Sequence, residues 1–182
     1  MNINVYTEAT PNPATMKFIV NKLLINGSVD YATKESAESS TFAKELYKFS
    51  FVNGVFFASN FVTVTKTEGT DWADIEPILK EFVKGAVESE LTVKAEEHVE
   101  VDFEGTDTEI KIQQILNDYV RPAVEQDGGA ITYKSFDEGI VTVELRGSCS
   151  GCPSSTVTLK AGIENLLKRM VPGVTEVVSE AY

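Results

Sequence analysis

A chain of 182 residues with a net charge of −12 and 42% apolar residues is long enough for one medium domain or two small ones, and apolar enough to fold. Its acidity argues against a nucleic-acid partner, because duplex affinity rests on Lys and Arg neutralising phosphates, and no apolar run reaches the ~20 residues that would span a bilayer. The start, Met1-Asn2-Ile3-Asn4-Val5, lacks the pattern of a secretory leader and the Arg- and Ser-rich character of a transit peptide, so the expected location is cytoplasmic.

In chain order, Ile3–Thr7 and Met16–Ile25 read as strands around the turn-forming Thr10-Pro11-Asn12-Pro13. Thr41–Phe49 fits a short helix, Asn53-Gly54 marks a turn, and Val55–Ala58 with Phe61–Lys66 makes a hairpin about Ser59-Asn60. From Asp74 a helix presents Ile75, Ile78, Leu79, Phe82, Val83 and Ala86 on one face, with Pro77 placed in its first turn, where no N–H bond is lost. Trp72, Phe56, Phe57 and Phe61 read as core. The span 91–108 carries six acids against one base and reads mostly as a linker, extended by the mutual repulsion of its charges.

Thr106 to Glu109 has capping-box spacing, and behind it Ile112, Ile115, Leu116, Tyr119, Val120 and Ala123 keep the helical period. Pro122 should kink that helix and Asp127-Gly128-Gly129 should end it. Ala130–Phe136 and Ile140–Arg146 alternate as paired strands across Asp137-Glu138-Gly139. A helix from Pro153 buries Leu159, Ile163, Leu166, Leu167 and Met170, and Val174–Ser179 returns as a third strand. The expected fold is α+β in two small domains, the second α-β-β-α-β with its helices on one face of a three-stranded sheet. The expected divisions are 1–90, an acidic linker at 91–108, and 109–182.

Both cysteines of the chain lie in Gly147-Ser148-Cys149-Ser150-Gly151-Cys152-Pro153-Ser154, where a strand ends and a helix begins. In a reducing compartment, two thiols so close are more often catalytic or metal-binding than a staple. Pro153 suits the first helical position and puts Cys152 at or beside the N-cap, where open N–H groups and the helix dipole favour thiolate. Gly147 and Gly151 keep side chains away from the sulfurs, so the loop can wrap a bulky group. Three chemistries fit such a pair. A thiol oxidoreductase also places C-x-x-C at a helix start, but after the strand of a βαβ unit, whereas this strand closes a hairpin. A structural zinc normally has four protein ligands, and the other strong candidate here is His98 in the linker. An iron–sulfur cluster usually takes four thiolates, which two chains could supply as Cys149 and Cys152 from each across a two-fold axis.

The segment from Ile115 through Val174 resembles the NifU-like C-terminal domain of iron–sulfur cluster scaffold and carrier proteins. The resemblance runs through "RPAVEQDGG", "GSCSGCPSSTVTLKAGIE" and "VPGV". Roughly residues 3–88, through "TPNPATMKFIV", Asn53-Gly54-Val55, "NFVTVTK" and "DWADIEPIL", are similar to the N-terminal domain of Nfu proteins. The resemblance implies a non-enzymatic two-domain carrier without catalytic residues. It implies that Cys149 and Cys152 are the cofactor and metal ligands, holding a 4Fe-4S cluster (2Fe-2S left open) between two protomers. Its implied partners are an upstream assembly scaffold, apo iron–sulfur client proteins, and a second copy when loaded. The first module, which has no cysteine, would serve partner recognition. The rival of a different class is a dithiol oxidoreductase using the same pair.

Overall fold

A computed structural model describes residues 2–94, 103, 105–150 and 153–181, without the side chains of 153–156 and 181. The chain divides into two compact units, Met1–His98 and Val99–Tyr182.

In the first unit, five strands form one antiparallel sheet in the order β1-β2-β5-β4-β3: β1 (Val5–Ala9), β2 (Thr15–Val20), β3 (Ser28–Tyr31), β4 (Val52–Ala58) and β5 (Phe61–Lys66). Alternation sends Phe18, Val20, Val55, Phe57, Val62 and Val64 to one face. There they meet Phe42, Ala43 and Leu46 of α1 (Thr41–Leu46) and Ile75, Leu79 and Val83 of α2 (Trp72–Glu88). Phe42 packs edge-on against Phe57 at 5.1 Å and Phe82 at 6.2 Å, so this core is built on aromatic contacts. Phe56 and Phe61, buried but outside that cluster, lie 6.2 Å apart, with the Lys17 ammonium 4.4 Å from the Phe61 ring. Trp72, partly buried against the core, donates its indole N–H to the Pro13 carbonyl at 3.0 Å and ties the start of α2 to the Pro-Asn-Pro turn.

Several local expectations change here. Asn53-Gly54 is no turn: it lies inside β4, at a register shift between Val52 and Gly54, where the ladder admits an extra residue. Helix α2 starts at Trp72 behind an Asp71 cap, so Pro77 falls beyond the first turn and removes one i→i−4 bond. Strand β3 has no counterpart among the expected elements. Residues 91–94, expected as linker, dock on the first unit. Leu91 and Val93 pack on its core, the Thr92 carbonyl accepts from the Phe42 N–H and the Ser40 hydroxyl, and the Tyr31 hydroxyl donates to the Lys94 carbonyl at 2.7 Å. The middle of that span, with His98, lies outside the described residues.

The second unit follows the α-β-β-α-β order. Its first helix, α3 (Asp107–Ile115), opens on the expected capping box between Thr106 and Glu109. The chain then widens into a π turn over Leu116–Val120, in which the Arg121 N–H reaches back five residues to the Leu116 carbonyl. After it, α4 (Arg121–Gln126) carries Pro122 in its first turn. The proline is therefore accommodated by a π turn, which re-pairs the backbone ahead of it. Strands β6 (Gly129–Asp137) and β7 (Ile140–Gly147) form a hairpin whose two loop residues, Glu138 and Gly139, both have positive φ (46° and 87°), the tight turn that suits strand twist. Helix α5 (Pro153–Met170) then leads to β8 (Glu176–Ala181), which pairs with β7 in parallel, giving the order β6-β7-β8. Ile112, Leu116 and Val124 from one side and Ile163 and Leu167 from α5 cover Val141, Val143, Leu145 and Val177, so both helical segments sit on one sheet face.

Candidate functional site

The cysteine loop starts where β7 stops. Gly147 has φ +65°, a left-handed conformation in which a side chain would be strained, and this turns the chain off the strand. The Ser150 N–H then closes a turn on the Gly147 carbonyl at 3.0 Å. Helix α5 begins at Pro153 as expected. Gly151 and Cys152 lie outside the described residues, so the position of the second sulfur rests on sequence alone.

Cys149 is only 6% exposed and belongs to the apolar cluster of the second unit. It is held there by a segment about 20 residues earlier. At the end of α4, Gly128 adopts φ +81° and its carbonyl accepts the Ser148 N–H at 3.3 Å. The Ser148 hydroxyl, itself buried, donates to the Asp127 carbonyl. Gly129 pairs with Gly147 across the hairpin. A Cβ on Gly129 would come within 2.8 Å of the Cys149 sulfur and 2.6 Å of the Arg146 carbonyl. Glycine at 129 therefore opens the space the sulfur occupies. In sequence, Asp127-Gly128-Gly129 signals a helix stop, and the doubled glycine is the sign of a second task, since one glycine suffices to end a helix.

Three carboxylates of the second unit are held by hydrogen-bond partners. Glu144, 4% exposed, accepts from Arg146 at 2.8 Å and pairs with Lys134 at 3.2 Å. Burial alone would raise its pKa, but the bonds from Arg146 and Lys134 hold the carboxyl below its usual range. On α5, Glu164 is also held low, by Lys168 at 2.6 Å and by the Val177 N–H at 3.1 Å, which ties the helix to the start of β8. Glu109 is lowered by its capping bonds to Thr106 and a bond from the Tyr133 hydroxyl, while burial and that same carboxylate push Tyr133 up to about 12.

Among the described residues, no three His, Cys, Asp or Glu side chains gather as a metal site. One expectation about rival chemistry changes. Strand β7 closes a hairpin, but through α5 it also leads to the parallel β8, so the cysteine loop does sit in a β-α-β unit. The hairpin therefore does not exclude a thiol oxidoreductase. Burial of Cys149 bears on it instead, since a reactive redox cysteine is partly exposed.

Residues 112–178 match the NifU-like domain model, and residues 5–90 match the model described as scaffold protein Nfu/NifU N terminal. The chain is 38% identical over 184 residues to the human protein named NFU1 iron-sulfur cluster scaffold homolog, mitochondrial, covering 97% of this chain and 72% of that one. It is 36% identical to the Drosophila erecta protein of the same name, over 95% of this chain but 63% of that one, so it spans less than two thirds of that relative. A solution structure of a NifU-like protein from Saccharomyces cerevisiae overlaps 52% of this chain and 87% of its own, at 18% identity and TM-score 0.46. The relatives are named mitochondrial, which overturns the cytoplasmic expectation. That expectation rested on the residue pattern at the start of the sequence, which is no guide to location where the matched relatives are longer.

Proposed function

The chain belongs to the Nfu family of iron–sulfur cluster scaffold proteins, and from that premise we propose that it carries a 4Fe-4S cluster bridged between two protomers by Cys149 and Cys152 of each. The family is one of scaffolds and carriers, not of enzymes. An upstream scaffold supplies the cluster, and apo iron–sulfur proteins receive it. The first unit, which holds neither cysteine, serves in recognising those partners.

The observation that carries the reading is the placement of Cys149: a soft donor at a strand-to-helix loop, bordered by Gly129 and Gly147. Thiolates are the usual donors of iron–sulfur clusters, and glycines beside them leave room for a bulky inorganic group. Two donors per chain complete a four-thiolate set only when a second copy contributes. A cluster so shared is released by exchange: each incoming client thiolate takes an iron as a thiolate of this chain leaves. The charge of the complex is conserved and no electron moves.

Anaerobic incubation with iron and sulfide tests this. Wild-type protein should take up iron with a broad absorption band near ~400 nm. Cys149→Ser and Cys152→Ser should each abolish stable uptake. Retention of the band in the double variant would overturn the assignment, as would catalytic disulfide reduction by protein that takes up no iron.

A further inference from the structure

We propose that Gly129 and Ser148 are positioning residues that fix where the Cys149 sulfur meets the cluster. The inference rests on the carrier reading but concerns a different part of the chain, the turn after α4. Three contacts join that turn to the cysteine loop: the Ser148 N–H on the Gly128 carbonyl, the Ser148 hydroxyl on the Asp127 carbonyl, and the Cys149 sulfur over Gly129. The Ser148 hydroxyl also lies 3.9 Å from that sulfur. Gly129 is not in a left-handed conformation, so alanine there meets no backbone penalty. Its whole effect comes from the added methyl, which must displace the Arg146 carbonyl and the Cys149 sulfur. Ser148 acts differently. It is buried, and its hydroxyl and N–H bind two consecutive carbonyls, so the loop cannot rotate about Gly147 without breaking both.

Cys149 is thus set by the turn after α4 and the hairpin before any cluster arrives. Groups that orient a metal's ligands typically contribute ten- to a hundred-fold in affinity, and Gly129 and Ser148 occupy that role here.

The test uses full-length apo protein under reducing conditions and measures iodoacetamide alkylation at each cysteine by mass spectrometry, with Cys152 as internal reference. Gly129→Ala and Ser148→Ala should each raise the Cys149 rate relative to Cys152 by roughly ten-fold, as a sulfur released from burial becomes accessible. Both should also weaken cluster retention against a chelator by roughly ten-fold or more. Ser148→Ala adds no atoms, so it keeps the test alive if Gly129→Ala fails to fold. An unchanged alkylation ratio in a folded variant overturns the proposal, whatever happens to iron content. If wild-type protein takes up no cluster while the ratio still shifts, the carrier reading fails and the positioning of Cys149 stands.

Discussion

The two units solve the same packing problem with different materials. The first buries a five-stranded antiparallel sheet under two helices through phenylalanine rings, with Phe42 at the centre of edge-to-face contacts to Phe57 and Phe82. The second covers three strands with Ile, Leu and Val, and admits a cysteine to the same cluster. Aromatic contacts add to area burial, whereas a small aliphatic core depends on close fit. The difference separates an aromatic platform, to which recognition is assigned above, from an aliphatic core that holds one sulfur within it.

The largest effects should come from breaking each core in turn. Phe42→Ala, at a fully buried position, should cost the first unit about 3–5 kcal/mol. The single tryptophan, Trp72, lies in that unit, so its fluorescence reports this loss in denaturant. Iron uptake should survive; if it disappears with the first transition, the two units act as one cooperative block. Leu167→Ala in α5, equally buried, should cost the second unit about 2–5 kcal/mol. Here iron uptake should fall while the Trp72 transition stays in place.

Acid should separate the units next. Glu109, Glu144 and Glu164, all held below the ordinary value of 4.5, lie in the second unit. A carboxylate with a depressed folded pKa stabilises the fold above its unfolded value, and that stability is lost as pH falls through the lower folded value. Circular dichroism followed from pH 7 downward should therefore show loss in the second unit beginning below about pH 4.5. Trp72 emission changing first would contradict this. At the alkaline end the sign reverses and both units respond. Burial, reinforced by Asp30 and Glu35, raises Tyr47 in the first unit, and burial with Glu109 raises Tyr133 in the second, so stability should fall as pH rises above about 10.

The smallest effect is a capping contrast. Thr106→Ala removes the capping box of α3 and should cost the second unit about 1 kcal/mol. Ser40→Ala removes the cap of α1 together with a bond to the Thr92 carbonyl at 3.0 Å, so its cost to the first unit should be larger. Equal costs of unfolding in the two variants would mean that the Ser40–Thr92 bond adds nothing to the first unit.

What could be read from sequence followed the range of the interactions. The capping box at Thr106 and the helix from Pro153 depend on residues within a few positions of one another and appear as expected, and the turn expected over Asp137-Glu138-Gly139 falls on its last two residues. Strand β3 escaped notice because four residues offer only two buried positions, Val29 and Tyr31, and it exists by pairing with β4. Asn53-Gly54 looked like a turn because the residues that make turns also make bulges, and only the register against β5 tells them apart. The parallel pairing of β7 with β8 was likewise invisible, since alternation reveals a strand's faces and not its neighbours.

The same limit applies at the site. The cysteine pair announces itself through spacing, glycines and a helix-starting proline. Gly129 and Ser148 do not, because their contacts join positions about 20 apart in the chain through hairpin register. Location is different in kind: the correction comes from the names of relatives and not from any contact in the fold.

The central claim, that each chain carries half of a site, is tested most directly by weighing the loaded protein. After anaerobic reconstitution and removal of unbound iron, mass and iron content should be measured on the same sample. A dimer with about two irons per chain is expected, because four thiolates surround four irons, and chelation of the iron should return it to protein without the ~400 nm band. A monomer holding four irons per chain, or a dimer whose iron survives loss of the cysteines, would contradict it.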